Sequence, residues 1–151
     1  MTQTVSAYLL DPTQATIRTI RLSGSNVLES LCRHIDCRLV ERIWIDADHC
    51  AYVDEEGMLA PATGLWSIPQ VTQPVIAGRA VIVADDGDGG SASPRLPMEQ
   101  FAALIRVFRP VAVPEFADIP CDNLDDIVVI GARVASLKLD LQRVCVTVVR
   151  D

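Results

Sequence analysis

The chain has 151 residues, of which half are apolar and 22% are charged, a composition typical of one ordered domain that buries a core without disulfide or metal support. Its formal net charge of −7 disfavours the basic surface that follows a nucleic-acid backbone, so we expect no nucleic-acid partner. Neither a signal-like leader nor an uncharged apolar run of about 18 residues is visible, which predicts a cytoplasmic protein without membrane contact.

The chain opens with a predicted hairpin and helix. Residues 5–10 and 16–22 are rich in apolar and branched side chains and are separated by an Asp-Pro turn, which predicts two paired strands. Residues 27–34 then carry one apolar stripe at helical spacing. Asn26 is the expected N-cap, and Glu29 occupies the capping-box position, so the helix has a defined start.

A second hairpin and a loop are predicted next. Residues 39–45 and 50–53 indicate two strands joined by an acidic turn. Residues 58–73 contain several turn-forming prolines and glycines, and we interpret them as a partly ordered loop that carries Trp66.

The most apolar segment of the chain, residues 74–83, predicts a central strand that is buried on both faces, with a bulge or a close backbone approach at Gly78. Residues 85–97 have the composition of a flexible loop. Residues 97–108 predict an amphipathic helix whose buried face includes Phe101.

The last forty residues are β-rich. Residues 111–120 are interrupted by proline and predict an edge strand or an extended crossing, and residues 127–130 and 144–149 predict strands. Residues 134–141 fit a strand and a helix equally well. The whole pattern predicts an α+β fold, a mainly antiparallel sheet with one or two helices packed on one face.

Several short motifs lie within residues 5–108: the opening hairpin and helix, the acidic turn at residues 54–57, and the Ile-Ala-Gly strand that follows it. In this order they resemble domain of unknown function family 3846, which comprises small bacterial, phage and plasmid proteins. The chain departs from that family's pattern at Asp36-Cys37 and at Thr63-Gly64. The resemblance implies a link to mobile elements and supplies no catalytic residues. Residues 109–151 are interpreted as a β-rich extension of the same single domain, residues 1–151.

Soft metal ligands cluster in one part of the sequence, but their spacing is poor for zinc. The five cysteines are an odd number in a chain without an export signal, which favours reduced thiols. Two interpretations remain open, a tetrahedral zinc site and a set of buried thiols with surface histidines, and the spacing favours the second. The residues concerned are Cys32, His34, Cys37, His49 and Cys50.

Two acidic turns are candidate sites. Asp85, Asp86 and Asp88 resemble half of a calcium loop, but the closing glutamate is absent, so we predict a solvated loop and no metal or other cofactor. The second turn holds adjacent carboxylates, which normally face water, whereas acid–base catalysis requires one of them to be held protonated. No catalytic residue is therefore predicted.

We accordingly expect a non-enzymatic accessory or interaction protein that binds a protein partner or a second copy of itself. The alternative is a small-molecule protein that binds or sequesters a nucleotide-type ligand. The candidate contact residues for either role are Trp66, Arg42, Arg79, Asp54, Glu55 and Glu56.

Overall fold

The computed structural model describes residues 3–72, 75–118 and 132–151. The strands and helices are β1 (Thr4–Asp11), β2 (Thr16–Ser23), α1 (Val27–Ile35), β3 (Val40–Trp44), β4 (His49–Asp54), a short 3-10 helix (Gly57–Leu59), β5 (Leu65–Ser67), β6 (Ile76–Ala77), β7 (Ala80–Asp85), β8 (Ser91–Ala92), α2 (Met98–Leu104), β9 (Arg106–Asp118), β10 (Ala132–Val144) and β11 (Thr147–Val149).

A seven-stranded sheet forms the centre of the molecule. Its strands lie in the order β11-β2-β1-β7-β4-β3, and β8 pairs with β7 beside them. Neighbouring strands are antiparallel except β11, which runs parallel to β2. Five of the six residues of β7 are buried, as expected of a central strand with an almost unbroken apolar sequence.

A second sheet of four strands has the order β10-β9-β5-β6. Strands β9 and β10 are thirteen residues each and pair from Val107 opposite Val144 to Asp118 opposite Ala132. The register is irregular between Val134 and Ser136. Strand β5 pairs only with the first three residues of β9, from Arg106 to Phe108.

The two helices in the described residues lie on opposite faces of the large sheet. Successive side chains of a strand point to opposite faces, and Leu9 packs with Leu31 of α1 whereas Leu10 packs with Phe101 of α2. The α+β class with mainly antiparallel sheets is confirmed, but the prediction that the helices share one face is wrong. The sheet is apolar on both sides and needs a cover on each.

Local signals located the first half of the fold correctly. Both predicted hairpins are present, as β1–β2 and β3–β4. The predicted cap of α1 is also present, because Asn26 Oδ1 accepts a hydrogen bond from the Glu29 backbone N–H at 3.2 Å while Asn26 Nδ2 donates to Glu29 Oε2 at 2.7 Å.

The predicted central strand at 74–83 is two strands in different sheets. β6 belongs to the small sheet and β7 to the large one, and Gly78 between them has a φ of +86°. Glycine adopts this left-handed conformation without the steric cost of a Cβ. The residue predicted to be a bulge is therefore the point at which the chain changes sheets.

The segment after the first acidic turn is more ordered than a loop. It contains the short 3-10 helix and β5, and Trp66 lies in the centre of β5 with a fully buried side chain. The prediction that a loop carries Trp66 is wrong, because the tryptophan fills the core between the sheets although glycine and proline flank it.

The C-terminal predictions need similar changes. The predicted helix at 97–108 ends at Leu104, and the residues from Arg106 onward form β9. The ambiguous segment at 134–141 is part of β10, and the last strand covers Thr147–Val149 only. The strand predicted at 127–130 lies outside the described residues. No helix in the described part of the chain is long and apolar enough to cross a membrane.

Candidate functional site

The outer part of the β9–β10 hairpin is the most exposed feature of the described structure. We define the arm as residues 109–116 of β9 and 136–142 of β10. In the arm the two strands pair only with each other among the described residues, because β5 pairs with residues 106–108 of β9, which precede the arm. Most of the arm's side chains are exposed, which is unusual for a strand pair with so many apolar residues.

One face of the arm is apolar. Residues directly opposite each other in an antiparallel pair project to the same face, and three leucines of β10 lie opposite small or cyclic apolar residues of β9. Leu137 and Leu139 are 69% and 72% exposed. The face consists of Leu137, Leu139 and Leu141 from β10 and of Pro110, Ala112, Pro114 and Phe116 from β9. An exposed apolar face of this kind is a candidate contact surface.

The opposite face of the arm is mixed in polarity. It presents Lys138 and Asp140 from β10 opposite Val113 and Val111 from β9. The Ser136 hydroxyl donates to a Glu115 carboxylate oxygen at 2.8 Å across the two strands. The arm is therefore amphipathic, with its charges and its leucines on opposite sides.

A second feature is a cleft of about 340 Å³ beside β3 and β4. Its walls are apolar and include Ile43, Val53 and Ile76, and its acidic groups are Glu41, Asp54 and Glu55. We call it the acidic cleft. The cleft brings together two predicted site residues, Asp54 and Glu55. Its negative charge disfavours a phosphate and favours a cationic ligand with an apolar part.

Internal hydrogen bonds hold the acidic turn next to the cleft. Asp54 Oδ1 accepts from the Glu56 backbone N–H at 2.9 Å, and the Glu55 backbone N–H donates to the Leu39 carbonyl at 3.1 Å. Arg38 forms an ion pair with Glu56 at 3.0 Å. Of the three predicted carboxylates, Glu56 has a cation partner, while Asp54 and Glu55 line the cleft.

Arg42 lies on β3, outside the residues that line the cleft. Its guanidinium donates to Asp85 Oδ1 at 2.6 Å and to Cys50 Sγ at 3.2 Å. The guanidinium carbon is 4.4 Å from the centroid of the Trp44 ring. These contacts join β3, β4 and the end of β7, so the structure places this predicted contact residue in an internal clamp.

The remaining two candidates are separated from each other. Arg79 donates to Asp11 Oδ2 at 3.3 Å and to the His34 carbonyl at 3.5 Å, and it lines a smaller cleft of about 230 Å³ that also includes Asp54. Trp66 is fully buried, and its indole N–H has no hydrogen-bond partner among the described residues. A surface ligand has no access to the Trp66 ring in this conformation.

The predicted metal ligands are divided between the region of α1, where Cys32 and Cys37 are neighbours, and β4, which carries His49 and Cys50. Within the described ranges no three His, Cys, Asp or Glu side chains are grouped closely enough to hold a metal ion. His49 is buried rather than on the surface: its Nδ1 lies 3.0 Å from both carboxylate oxygens of Asp46, and its Nε2 accepts from the Arg95 backbone N–H at 3.1 Å. The Cys50 thiol lies on the other face of the same strand and accepts a hydrogen bond from Arg42.

The thiol of Cys37, which follows α1, has a raised pKa. Burial is the main cause that raises the pKa of Cys37 to about 12, and the nearby Cys32 adds to it. Because the thiolate is the reactive and metal-binding form, Cys37 remains a protonated thiol at neutral pH.

Two aspartates at the end of β7, Asp85 and Asp86, accept hydrogen bonds within the protein. Asp86 Oδ1 accepts from the N–H groups of Asp88 at 2.9 Å and of Gly90 at 2.8 Å, and these bonds lower the pKa of Asp86. Asp85 accepts from Gly87 as well as from Arg42. The turn is a hydrogen-bonded loop whose carboxylates stabilise its own backbone.

Sequence reasoning missed the arm. Its signal was present in the strict alternation of leucines with charged residues at 137–141, opposite a proline-rich segment of similar length. That alternation fits a two-stranded ribbon with one apolar face.

The fold is that of a small, β-rich α+β protein with two sheets and an amphipathic hairpin. Residues 4–108 match the family model described as "Domain of unknown function (DUF3846)", and the chain belongs to this family, as predicted for residues 5–108. A relative is the "Uncharacterized protein y4iR" of Sinorhizobium fredii (strain NBRC 101917 / NGR234), which is 29% identical over 137 residues that cover 91% of this chain and 84% of the relative.

The family match ends where the arm begins. The similarity to the relative from Sinorhizobium fredii includes 137 residues, more than the 108 that precede the arm, so it extends into the segment after β9 starts. No solved structure matches the chain significantly.

Proposed function

We propose that this chain is a non-enzymatic accessory or interaction protein of the cytoplasm that binds another polypeptide through the arm. The observation that supports the proposal is the exposed ribbon with a leucine face, whose outer part has no further neighbouring strand among the described residues. Folding leaves these side chains in water, and contact with another chain removes them from it.

Burial of the apolar face can offset part of the cost of association. Fully burying one leucine or phenylalanine contributes about 1.5–3 kcal/mol, and the apolar face offers four such side chains, Phe116, Leu137, Leu139 and Leu141. Association costs about 4–15 kcal/mol in lost translational and rotational freedom. Pairing of the strand edge adds backbone hydrogen bonds and sets the orientation of the partner.

Site-specific photo-crosslinking tests the proposal. A photoreactive amino acid is placed at Leu139 in the full chain, bacterial cells that express it are irradiated, and the adducts are identified by mass. We expect an adduct from position 139, either with a second copy or with one other polypeptide, because the side chain lies in the centre of the apolar face.

The matched control carries the same photoreactive group at Leu59, which is at least as exposed but lies on the short 3-10 helix away from the arm. An adduct that depends on position 139 supports the proposal. Equal labelling from both positions, or no adduct from position 139, refutes a role of the arm in binding.

The acidic cleft supports a second candidate, the binding of a small molecule. Its carboxylates, Glu41, Asp54 and Glu55, favour an organic cation over the nucleotide-type ligand that the arginines suggested. Thermal denaturation with phenethylamine and with ATP separates the two. Ligand at one hundred times its dissociation constant stabilises the fold by about 2.7 kcal/mol, and Glu41→Gln should weaken the effect of the amine. Stabilisation by ATP alone would contradict the cation preference.

A further inference from the structure

We infer that the partner of the arm is a second copy of this chain, which pairs antiparallel with β10 along its outer edge across a two-fold axis at Leu139. The inference rests on the proposed binding role of the arm. Three features of the described residues support it. They are the open edge of β10, the charge match in one register, and the side-chain contacts that this register produces.

The open edge belongs to β10. Proline has no amide hydrogen and is tolerated in a ribbon where its nitrogen faces outward, so Pro110 and Pro114 turn the outer edge of β9 into a poor template for another strand. β10 contains no proline and is the outermost strand of its sheet in the part of the chain that the structure describes.

The backbone groups on the β10 edge are identifiable. Leu141 and Leu137 lie opposite Pro110 and Pro114, and pairs that contain proline are the non-hydrogen-bonded ones, so the leucines direct their own N–H and C=O groups outward. The Leu141 N–H confirms this direction, because it donates to the side-chain oxygen of the neighbouring Asp140 at 3.0 Å instead of to a strand.

One register matches two copies of this edge. With the axis at Leu139, Leu137 lies opposite Leu141 of the second copy, and Lys138 lies opposite Asp140 of the second copy. The outward direction of the leucine amides makes the leucine pairs hydrogen-bonded. The lysine–aspartate pairs are then of the close, non-hydrogen-bonded kind, with Cα atoms about 4.5 Å apart.

Neighbouring registers lose this match. An axis at Lys138 or at Asp140 places like charges opposite each other, and an axis at Leu137 or Leu141 leaves both charges opposite uncharged residues. Like charges directly opposite each other destabilise a strand pair and opposite charges stabilise it. Charge therefore selects the axis at Leu139.

The side chains on both faces are available for this arrangement. Within the part of the chain that the structure describes, neither Lys138 nor Asp140 forms an ion pair. On the other face the leucines of the two copies form one cross-strand ladder. Pairing replaces the Leu141 bond to Asp140 with a bond to a backbone carbonyl, which releases the carboxylate for lysine.

The mass of the full chain in solution, measured by sedimentation equilibrium over a range of concentrations, tests the inference. We expect twice the chain mass of 16.4 kDa at high concentration. Lys138→Asp should weaken the dimer about tenfold or more, because it introduces two like-charge pairs per dimer. Combining Lys138→Asp with Asp140→Lys should restore dimerisation, since the charges are again opposite.

Arg21→Asp makes the same change of charge at an exposed position of β2 and should leave the mass unchanged. Circular dichroism of each variant verifies that the monomer is folded. Restoration by the double exchange supports the inference. A monomer at all concentrations, or a dimer that is insensitive to Lys138→Asp, overturns it. A monomer whose position 139 crosslinks to a different polypeptide overturns the second copy but leaves the proposed function standing.

Discussion

Replacing Arg42 by alanine tests whether this residue is an internal clamp or a free contact for a ligand. The guanidinium and the Asp85 carboxylate are 2.6 Å apart, and the two side chains are only 25% and 22% exposed. A hydrogen bond between charged groups contributes about 1.5–3 kcal/mol. The contact with the Trp44 ring adds about 0.5–1 kcal/mol. We expect Arg42→Ala to lower the free energy of unfolding by about 2–4 kcal/mol.

Urea denaturation of Arg42→Ala, Asp85→Ala and the double variant gives the coupling energy of the pair. We expect about 1.5–3 kcal/mol for the charged hydrogen bond. The pair of Arg33 with Glu29 on α1 is a matched control, because its 2.9 Å separation is similar but its side chains are 74% and 61% exposed. Such an exposed helical pair contributes about 0.3–0.5 kcal/mol. A coupling of Arg42 with Asp85 no larger than this control would refute the clamp.

Two further predictions concern the buried histidine and the tryptophans. Partial burial opposes ionisation of Asp46, but hydrogen bonds from the Asp48 backbone and from His49 outweigh it and lower the pKa of Asp46. The ionised carboxylate therefore stabilises the fold at pH values above its unfolded pKa near 4. Because the Asp46 side chain is 42% exposed, Asp46→Asn should lower the free energy of unfolding by only about 1 kcal/mol at pH 7, and by nothing once the pH falls through the folded pKa. A loss of stability that is independent of pH in urea denaturation would contradict this prediction. Trp66 is buried and Trp44 is half exposed, so acrylamide should quench the fluorescence of Trp66→Phe strongly and that of Trp44→Phe weakly, and equal quenching would place Trp66 at the surface.

The elements that were predictable are those whose signals are local. The β1–β2 hairpin and the start of α1 depend on turn and cap residues within a few positions, and Asn26 and Glu29 make the hydrogen bonds that their spacing predicts. The β3–β4 hairpin is of the same kind. Such interactions form between neighbours in sequence and need no knowledge of the rest of the fold.

The features that were not predictable depend on distant contacts. The chain leaves one sheet for another at Gly78, and the apolar run around it satisfies both strands equally well, so the sequence shows one strand where there are two. Trp66 follows the same rule, since its flanking turn residues indicate a loop whereas the core that surrounds it comes from both sheets. Tertiary burial overrides local preference at these positions.

The candidate site shows the same division. Asp54 and Glu55 reach a shared cleft because they lie at the end of a strand that was predicted correctly. Arg42 meets Asp85, forty-three positions away, and that pairing depends on strand order. Predicting the arm would have required pairing the ambiguous segment at 134–141 with the proline-interrupted segment at 111–120.

Hydrogen exchange of the β10 backbone is the most direct test of the claim that the arm pairs through its outer edge. The amides of Leu137, Leu139 and Leu141 face outward in the single chain, where the Leu141 N–H is bonded only to the Asp140 side chain, and they become bonded to another strand when a second β10 is added. We predict that exchange at these three amides slows as the protein concentration rises, while the inward amides of Lys138 and Asp140 change less. Fast exchange of the three leucine amides at every concentration would contradict the account.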